Sequence, residues 1–233
     1  MTARYFFAPQ DTVGVPVVGS EKLYPVGRIF CVGRNYAEHA KEMGHEVDRE
    51  APFYFTKPAS AIVASGGTIP YPPGTQNFHH EMEFVVALGG SAFRVAEAEA
   101  MGAVFGYACG LDLTRRDLQQ AAKDKGRPWD LAKAFEHSAV ISPITPASAF
   151  GAIGAQRIHL SVNGEIRQDS RLSDLIWSVP SLISHLSRYY HLQAGDLIYT
   201  GTPAGVGKLV AGDRLEGGIN GLGPIALTIG PAE

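Results

Sequence analysis

The sequence predicts a β-rich α+β domain rather than a doubly wound α/β sheet. Many short apolar runs have strand character, and the 27 glycines and 15 prolines punctuate them instead of gathering in a linker. Few segments carry a helical period, and those few do not alternate with the strands.

Residues 1–25 read as a Pro/Gly-broken N-terminal lead, with one domain over 26–233. A strand at Arg28–Val32 comes first. Asn35 can then N-cap a short helix, Tyr36–Met43, with Glu38 at N3 and Gly44 as its stop. Strands follow at Phe53–Thr56, Ile62–Val63, Glu81–Leu88 and Val104–Leu111. The clearest helix is Arg115–Lys125, capped by Thr114, stopped by Gly126 and followed by Pro128. Beyond Trp129–Phe135, strands are expected near Ala139–Ile141 and Ile158–Val162. Asn163-Gly164 then signals a hairpin into Glu165–Gln168. Pro180–Tyr190 is a second amphipathic helix with Leu182, Ile183, Leu186 and Tyr190 on one stripe. Strands at Leu197–Tyr199, Arg214–Glu216 and Ile225–Ile229 close the chain, and Ala194-Gly-Asp196 and Ala211-Gly-Asp213 share one turn chemistry.

Composition narrows the function classes. The chain is long enough for an ample core, and 45% hydrophobic with 18% charged residues is ordinary for a globular protein. A net charge of −3 gives no reason to expect nucleic acid or an anionic membrane as partner. No apolar stretch approaches the roughly 18 residues of a membrane span, and the N-terminus has no signal-peptide core. Cys31 and Cys109, isolated in apolar strands, fit buried thiols better than a disulfide, so a cytoplasmic location is expected.

The segment Phe78–Gly90 is the most informative. Period-2 alternation puts Met82, Phe84, Val86 and Leu88 on one face, and Glu81 and Glu83 on the other beside Val85 and Ala87. Two carboxylates on a partly apolar face repel each other and resist desolvation. Either the strand is an edge with solvated glutamates, or the pair shares a cation; all-oxygen ligation favours Mg²⁺, Mn²⁺ or Ca²⁺ over zinc or copper. Asp112, the first charge after the apolar run from Val104, is either a third carboxylate for that site or a turn residue before the Thr114-capped helix. His79 is a candidate fourth ligand, although three hard oxygens do not require nitrogen. Zinc-protease patterns fail, because neither His80-Glu81 nor His39-x-x-Glu42 has the second histidine. A phosphate loop fails too, since Thr202 and Leu209 stand where it needs Gly and Ser or Thr.

Six ordered segments resemble the fumarylacetoacetate hydrolase family, and within it the compact members acting on acylpyruvates. They are Val32–His39, Phe55–Pro58, His80–Glu83, Gly110–Asp117, Trp129–Lys133 and Tyr199–Gly207. The resemblance implies a mixed-sheet, rolled β-sandwich, a catalytic role for the 26–233 domain and a homodimer. It implies that Glu81, Glu83 and Asp112 hold Mg²⁺ or Mn²⁺, with Ca²⁺ able to substitute in crystals. It further implies a catalytic dyad of His39 and Glu42 on a mobile lid helix, with Gln119 and Lys133 also catalytic. Lys57, Arg116 and Thr202 would line the pocket for a small keto-acid substrate.

The chemistry is coherent with these residue types. An acylpyruvate can chelate one cation through its carboxylate and 2-keto oxygen, and C–C cleavage leaves pyruvate as an enolate, where a cation stabilises the developing charge. His39 is the candidate base for water, with Glu42 at i+3 fixing its tautomer; a solvated surface pair is the alternative. Lys133 in Leu-Ala-Lys-Ala-Phe needs an anionic partner, which is either a substrate oxyanion or a structural carboxylate. Gln119 either orients the water or is a surface residue, and Thr202 either contacts a carboxylate or serves a turn. Three functions follow: hydrolysis of fumarylpyruvate or a related acylpyruvate in aromatic catabolism, oxaloacetate decarboxylation, or non-catalytic binding of a keto acid. Isomerisation of a catabolic diacid is a minor fourth. A base beside metal residues argues against binding alone.

Overall fold

The computed structural model describes residues 5–42, 44 and 50–233. Met43, the expected last residue of the first helix, and Met1–Arg4 of the lead lie outside them.

A large mixed sheet forms the centre. Its strands run in the order Phe53–Lys57, Ile29–Gly33, Leu197–Tyr199, Met82–Leu88, Val104–Asp112, Ala139–Ile141 and Ile62–Ala64, with Thr145–Pro146 also pairing to Val104–Asp112. Two of these pairings are parallel, Leu197–Tyr199 with Ile29–Gly33 and Ala139–Ile141 with Ile62–Ala64; the others are antiparallel. A second sheet follows the order Glu165–Arg171, Arg157–Val162, Arg214–Ile219, Ile225–Ala232 and Thr68–Tyr71. The Asn163-Gly164 turn that joins its first pair has φ of 54° and 81°, as a type I′ hairpin requires.

Alternation explains the layering. Phe84, Val86, Leu88, Tyr107, Cys109 and Leu111 point to the second sheet and pack with Leu160, Leu215, Leu227 and Ile229. Val85, Ala87 and Ala108 point the other way, into a smaller cluster with Cys31, Ile141 and Tyr199. Both faces of Met82–Leu88 are therefore buried, and it is a central strand, not an edge. Within residues 1–25, Gly14–Pro16 and Leu23–Pro25 form a hairpin whose Val15 and Tyr24 join the smaller cluster. Both cysteines are free and buried. Among the described residues, no helix is long and apolar enough to cross a membrane.

Several local expectations are corrected. Thr114 does not cap the following helix, which runs Arg116–Asp124; its hydroxyl donates to the Asp112 carbonyl at 3.2 Å while Thr114 pairs as a strand with His79. Asp117 instead accepts from Thr75 Oγ1 and the Gln76 amide at 2.6 and 2.8 Å. Asn35 caps nothing: its buried amide bridges Trp177 and the Thr200 carbonyl, and the first helix is Ala37–Glu42. The later helix is Val179–Leu186, capped by Ser178, and Tyr190 falls beyond it, 42% exposed, tilted against Phe30. The Phe78–Leu88 run breaks at Glu81, so that Phe78–His80 joins a separate three-stranded sheet with Thr114–Arg115 and Gly207–Leu209. Strands this short carry too few residues for a period to be read, and Thr68–Tyr71 was masked by Pro70. The paired Ala-Gly-Asp turns match: Gly195 and Gly212 have φ near +98°, and each Asp carboxylate accepts the amide three residues back.

Phe84 stacks on Tyr107 at 5.0 Å between the sheets with no exposed surface. Phe84→Ala should lower unfolding stability by about 3–5 kcal/mol, read as a shift in urea midpoint at unchanged m. A loss under about 1 kcal/mol would contradict this packing.

Candidate metal centre and active site

The strand pair Met82–Leu88 and Val104–Asp112 ends with Asp112 opposite Glu81, whose carbonyl accepts the Asp112 amide at 2.9 Å. Glu83 lies two residues along on the same face. The register thus gathers three buried carboxylates whose nearest oxygens all lie within 4.8 Å of one another. No histidine joins this group among the described residues. The break at Glu81 takes His79 out of the strand face, and its Nε2 bonds Asn77 Oδ1 at 2.9 Å.

Three cations compensate the cluster. Lys133 Nζ donates to Glu81 Oε2 at 2.7 Å and Asp112 Oδ2 at 2.6 Å. Arg116 Nη2 bonds Glu81 Oε1, and Lys57 Nζ approaches Asp112 Oδ1 to 2.8 Å. Lys133 therefore answers to structural carboxylates. Burial alone would raise the Glu81 carboxyl, but Lys133 and Arg116 hold it well below the usual carboxylate range. Burial, followed by repulsion from Asp112 and Glu81, lifts Glu83 well above that range, against one amide donated by Gly201 at 2.8 Å. Burial likewise opposes the Lys133 charge, and Asp112 and Glu81 outweigh it.

The donor set fits a hard divalent cation. Lys57 Nζ hydrogen-bonds the Leu113 and Lys133 carbonyls and stands 2.8 Å from Asp112 Oδ1 as an ion-pair contact, and that buried oxygen makes no hydrogen bond of regular geometry. Such an oxygen, a Glu83 carboxyl whose negative charge burial and its two carboxylate neighbours disfavour, and a spread within 4.8 Å suit one ion with oxygen bonds of about 2.0–2.6 Å.

One cavity is lined by Glu81, Glu83, His39, Arg116, Gln119, Lys133 and Thr202. Asp112, Lys57 and Glu42 are not among its lining residues: Asp112 and Lys57 are buried against Lys133 and each other, and Glu42 bonds His39. His39 is 6% exposed, and its Nδ1 meets Glu42 Oε2 at 3.2 Å. The bond from His39, above all, holds the Glu42 carboxyl below its ordinary value, so Glu42 is the acceptor and Nδ1 carries the proton. Nε2 is left as the basic nitrogen. Both Glu42 oxygens also accept the Gly205 amide, at 3.1 and 3.2 Å. Gly205 has φ of +94°, and a Cβ there would meet the Arg167 carbonyl at 1.9 Å, so only glycine brings this loop to Glu42. Gln119 Oε1 accepts Arg116 Nη1 at 2.6 Å, which leaves its NH₂ as a donor.

Sequence reasoning missed four contributors. Gln168, fully buried, accepts the Met82 amide at 2.9 Å, meets His80 Nδ1 at 3.2 Å and donates to Thr202 Oγ1 and the Pro203 carbonyl at 2.8 Å. Nothing marked it beyond its place in the expected second hairpin strand. Arg34, Lys123 and Trp129 also line the cavity. Lys123 was legible as i+4 from Gln119 and i+7 from Arg116 on one helical face.

A family model described as fumarylacetoacetate (FAA) hydrolase C-terminal matches residues 28–230. The chain is 53% identical over 194 residues to a fumarylpyruvate hydrolase of Ralstonia sp, covering 82% of this chain and 100% of the relative. It is 45% identical over 194 residues to the mitochondrial oxaloacetate tautomerase FAHD1 of Homo sapiens, covering 83% and 87% of the two chains. Its fold superposes with a TM-score of 0.95 on the crystal structure of fumarylpyruvate hydrolase from Pseudomonas aeruginosa in complex with Mn²⁺ and pyruvate, at 46% identity over 98% of this chain and 100% of that one.

Glu83→Gln removes one hard anionic donor while keeping shape. Calorimetric titration with Mn²⁺ should show at least about tenfold weaker binding, the scale of one lost charged contact, with the thermal midpoint retained. Unchanged Mn²⁺ affinity would remove Glu83 from the site.

Proposed function

The chain belongs to the fumarylacetoacetate hydrolase family, and from that premise we propose that it hydrolyses a C–C bond of fumarylpyruvate or a closely related acylpyruvate, giving pyruvate and a carboxylic acid. One observation carries the reading: two members of a buried three-carboxylate cluster, Glu81 and Glu83, line a cavity together with a histidine paired to a carboxylate.

Glu81, Glu83 and Asp112 would hold Mg²⁺ or Mn²⁺, which when bound supplies Lewis-acid polarisation and stabilises negative charge developing on substrate oxygens. The chain's own groups do the remainder. Three carboxylates balanced by three cations make a nearly neutral site, so a divalent cation leaves an excess of two positive charges. That excess matches the two negative charges of an enolpyruvate and favours the state in which charge has built up. His39 Nε2 takes a proton from water attacking the distal carbonyl, and Glu42 stabilises the imidazolium that results. Gln119 offers its NH₂ to the water or to the carbonyl oxygen. Arg116 and Thr202 orient the substrate carboxylate.

The tautomerase relative favours a second reading, action on oxaloacetate, which presents the same carboxylate and 2-keto oxygen. Decarboxylation or tautomerisation of that acid needs no attacking water.

Chelator dialysis should abolish fumarylpyruvate hydrolysis, and Mg²⁺ or Mn²⁺ should restore it; full activity in the stripped protein would refute the cation requirement. His39→Ala should keep its Mn²⁺ affinity while hydrolysis falls by about 10²–10⁴-fold, the usual scale for a lost general base. Oxaloacetate decarboxylation should suffer less. Equal losses of both activities would assign His39 some task other than activating water.

A further inference from the structure

The cavity beside the carboxylates is narrow, with about 30 Å³ of free space. The cavity adjoins a chamber of about 440 Å³, with which it shares Gly33, Arg34, Phe55 and Trp129, and which gives an acyl arm leaving it a place to go. Two cations without an ion-pair carboxylate among the described residues line this path: Arg34 where the cavity meets the chamber, and Lys123 on the inner cavity. Arg34, half-buried with φ of 59°, has its guanidinium 6.0 Å from the Phe53 ring. Lys123, also half-buried, has its ammonium 5.3 Å from the Trp129 ring. Aromatic faces hold cations without neutralising them, so both charges stay available. Arg116 and Lys133, by contrast, are engaged by the triad. Among the described residues, the chamber adds a third cation, Arg127, and one carboxylate, Asp130.

We propose that Arg34 and Lys123 form a subsite for the distal carboxylate of a dicarboxylic acylpyruvate, so that the enzyme selects diacids such as fumarylpyruvate over monoacids such as acetylpyruvate. This rests on the acylpyruvate reading above. The pyruvyl end is anchored at the inner cavity, and the far carboxylate meets two cations instead of a neutral wall. Partial burial makes each contact stronger than on an open surface, and it also makes an arm ending in a methyl group a poor occupant. Burial first, then the neighbouring charges of Arg116 and Arg34, push the Lys123 ammonium down to about 8.

The test compares Arg34→Gln, Lys123→Met and their double variant, loaded with Mn²⁺, on fumarylpyruvate and acetylpyruvate. Wild type should prefer fumarylpyruvate. Each single variant should lose about 10–100-fold in kcat/KM on fumarylpyruvate, the scale of one charge-assisted contact, mostly through KM. The loss on acetylpyruvate should be at least about tenfold smaller, and Lys123→Arg should keep most of the diacid preference. Equal losses on both substrates, or no loss on either, would overturn the subsite while leaving the acylpyruvate reading intact. Hydrolysis of neither substrate by wild type would overturn that reading, and the subsite with it.

Discussion

Burial of three carboxylates at the end of one strand pair is the constraint around which the other elements are arranged. Isolated in a dry interior, each would neutralise itself or unfold its surroundings. The chain brings Lys57 from the Phe53–Lys57 strand, Lys133 from a four-residue helix and Arg116 from the first turn of another. Three otherwise unrelated segments thereby converge on one point. Buried ion pairs give little net stability, but they penalise every arrangement that leaves one partner unpaired. The cluster therefore specifies where those segments must sit.

A second set of contacts ties the rim of the site to its floor. Gln168 spends all four of its amide hydrogen-bonding positions, two on the strand break around Glu81 and two on the loop holding Thr202 and Pro203. That loop supplies the Gly201 amide to Glu83 and the Gly205 amide to Glu42. One loop thus addresses both a carboxylate of the cluster and the partner of the candidate base, and the second sheet fixes the loop's height.

Sequence made the central features legible because they depend on short-range periodicity. Alternation alone separated Glu81 and Glu83 from Met82 and Phe84, and the apolar run ending at Asp112 pointed to a third carboxylate. What stayed hidden depends on partners distant in the chain. Thr114 and Asn35 carry capping chemistry, yet tertiary contacts claimed both, Asn35 by bridging residues more than 140 positions away. Gln168 has no local signature, since its worth lies in four partners drawn from two other regions. Arg34 and Lys123 were visible as charges but not as cations lacking a carboxylate partner among the described residues, because pairing is a property of the assembled cavity.

Two-sided burial of the central strands has a consequence for how the site fluctuates. Amide protons of Met82–Leu88 and Val104–Asp112 exchange with solvent only through openings close to global unfolding, whereas a six-residue helix such as Ala37–Glu42 opens locally at far smaller cost. The carboxylates inherit the slow regime and His39 the fast one. The carboxylate cluster and the candidate base therefore sit at opposite ends of a protection gradient. Local opening of the Ala37–Glu42 helix would displace His39 while leaving the carboxylate cluster assembled.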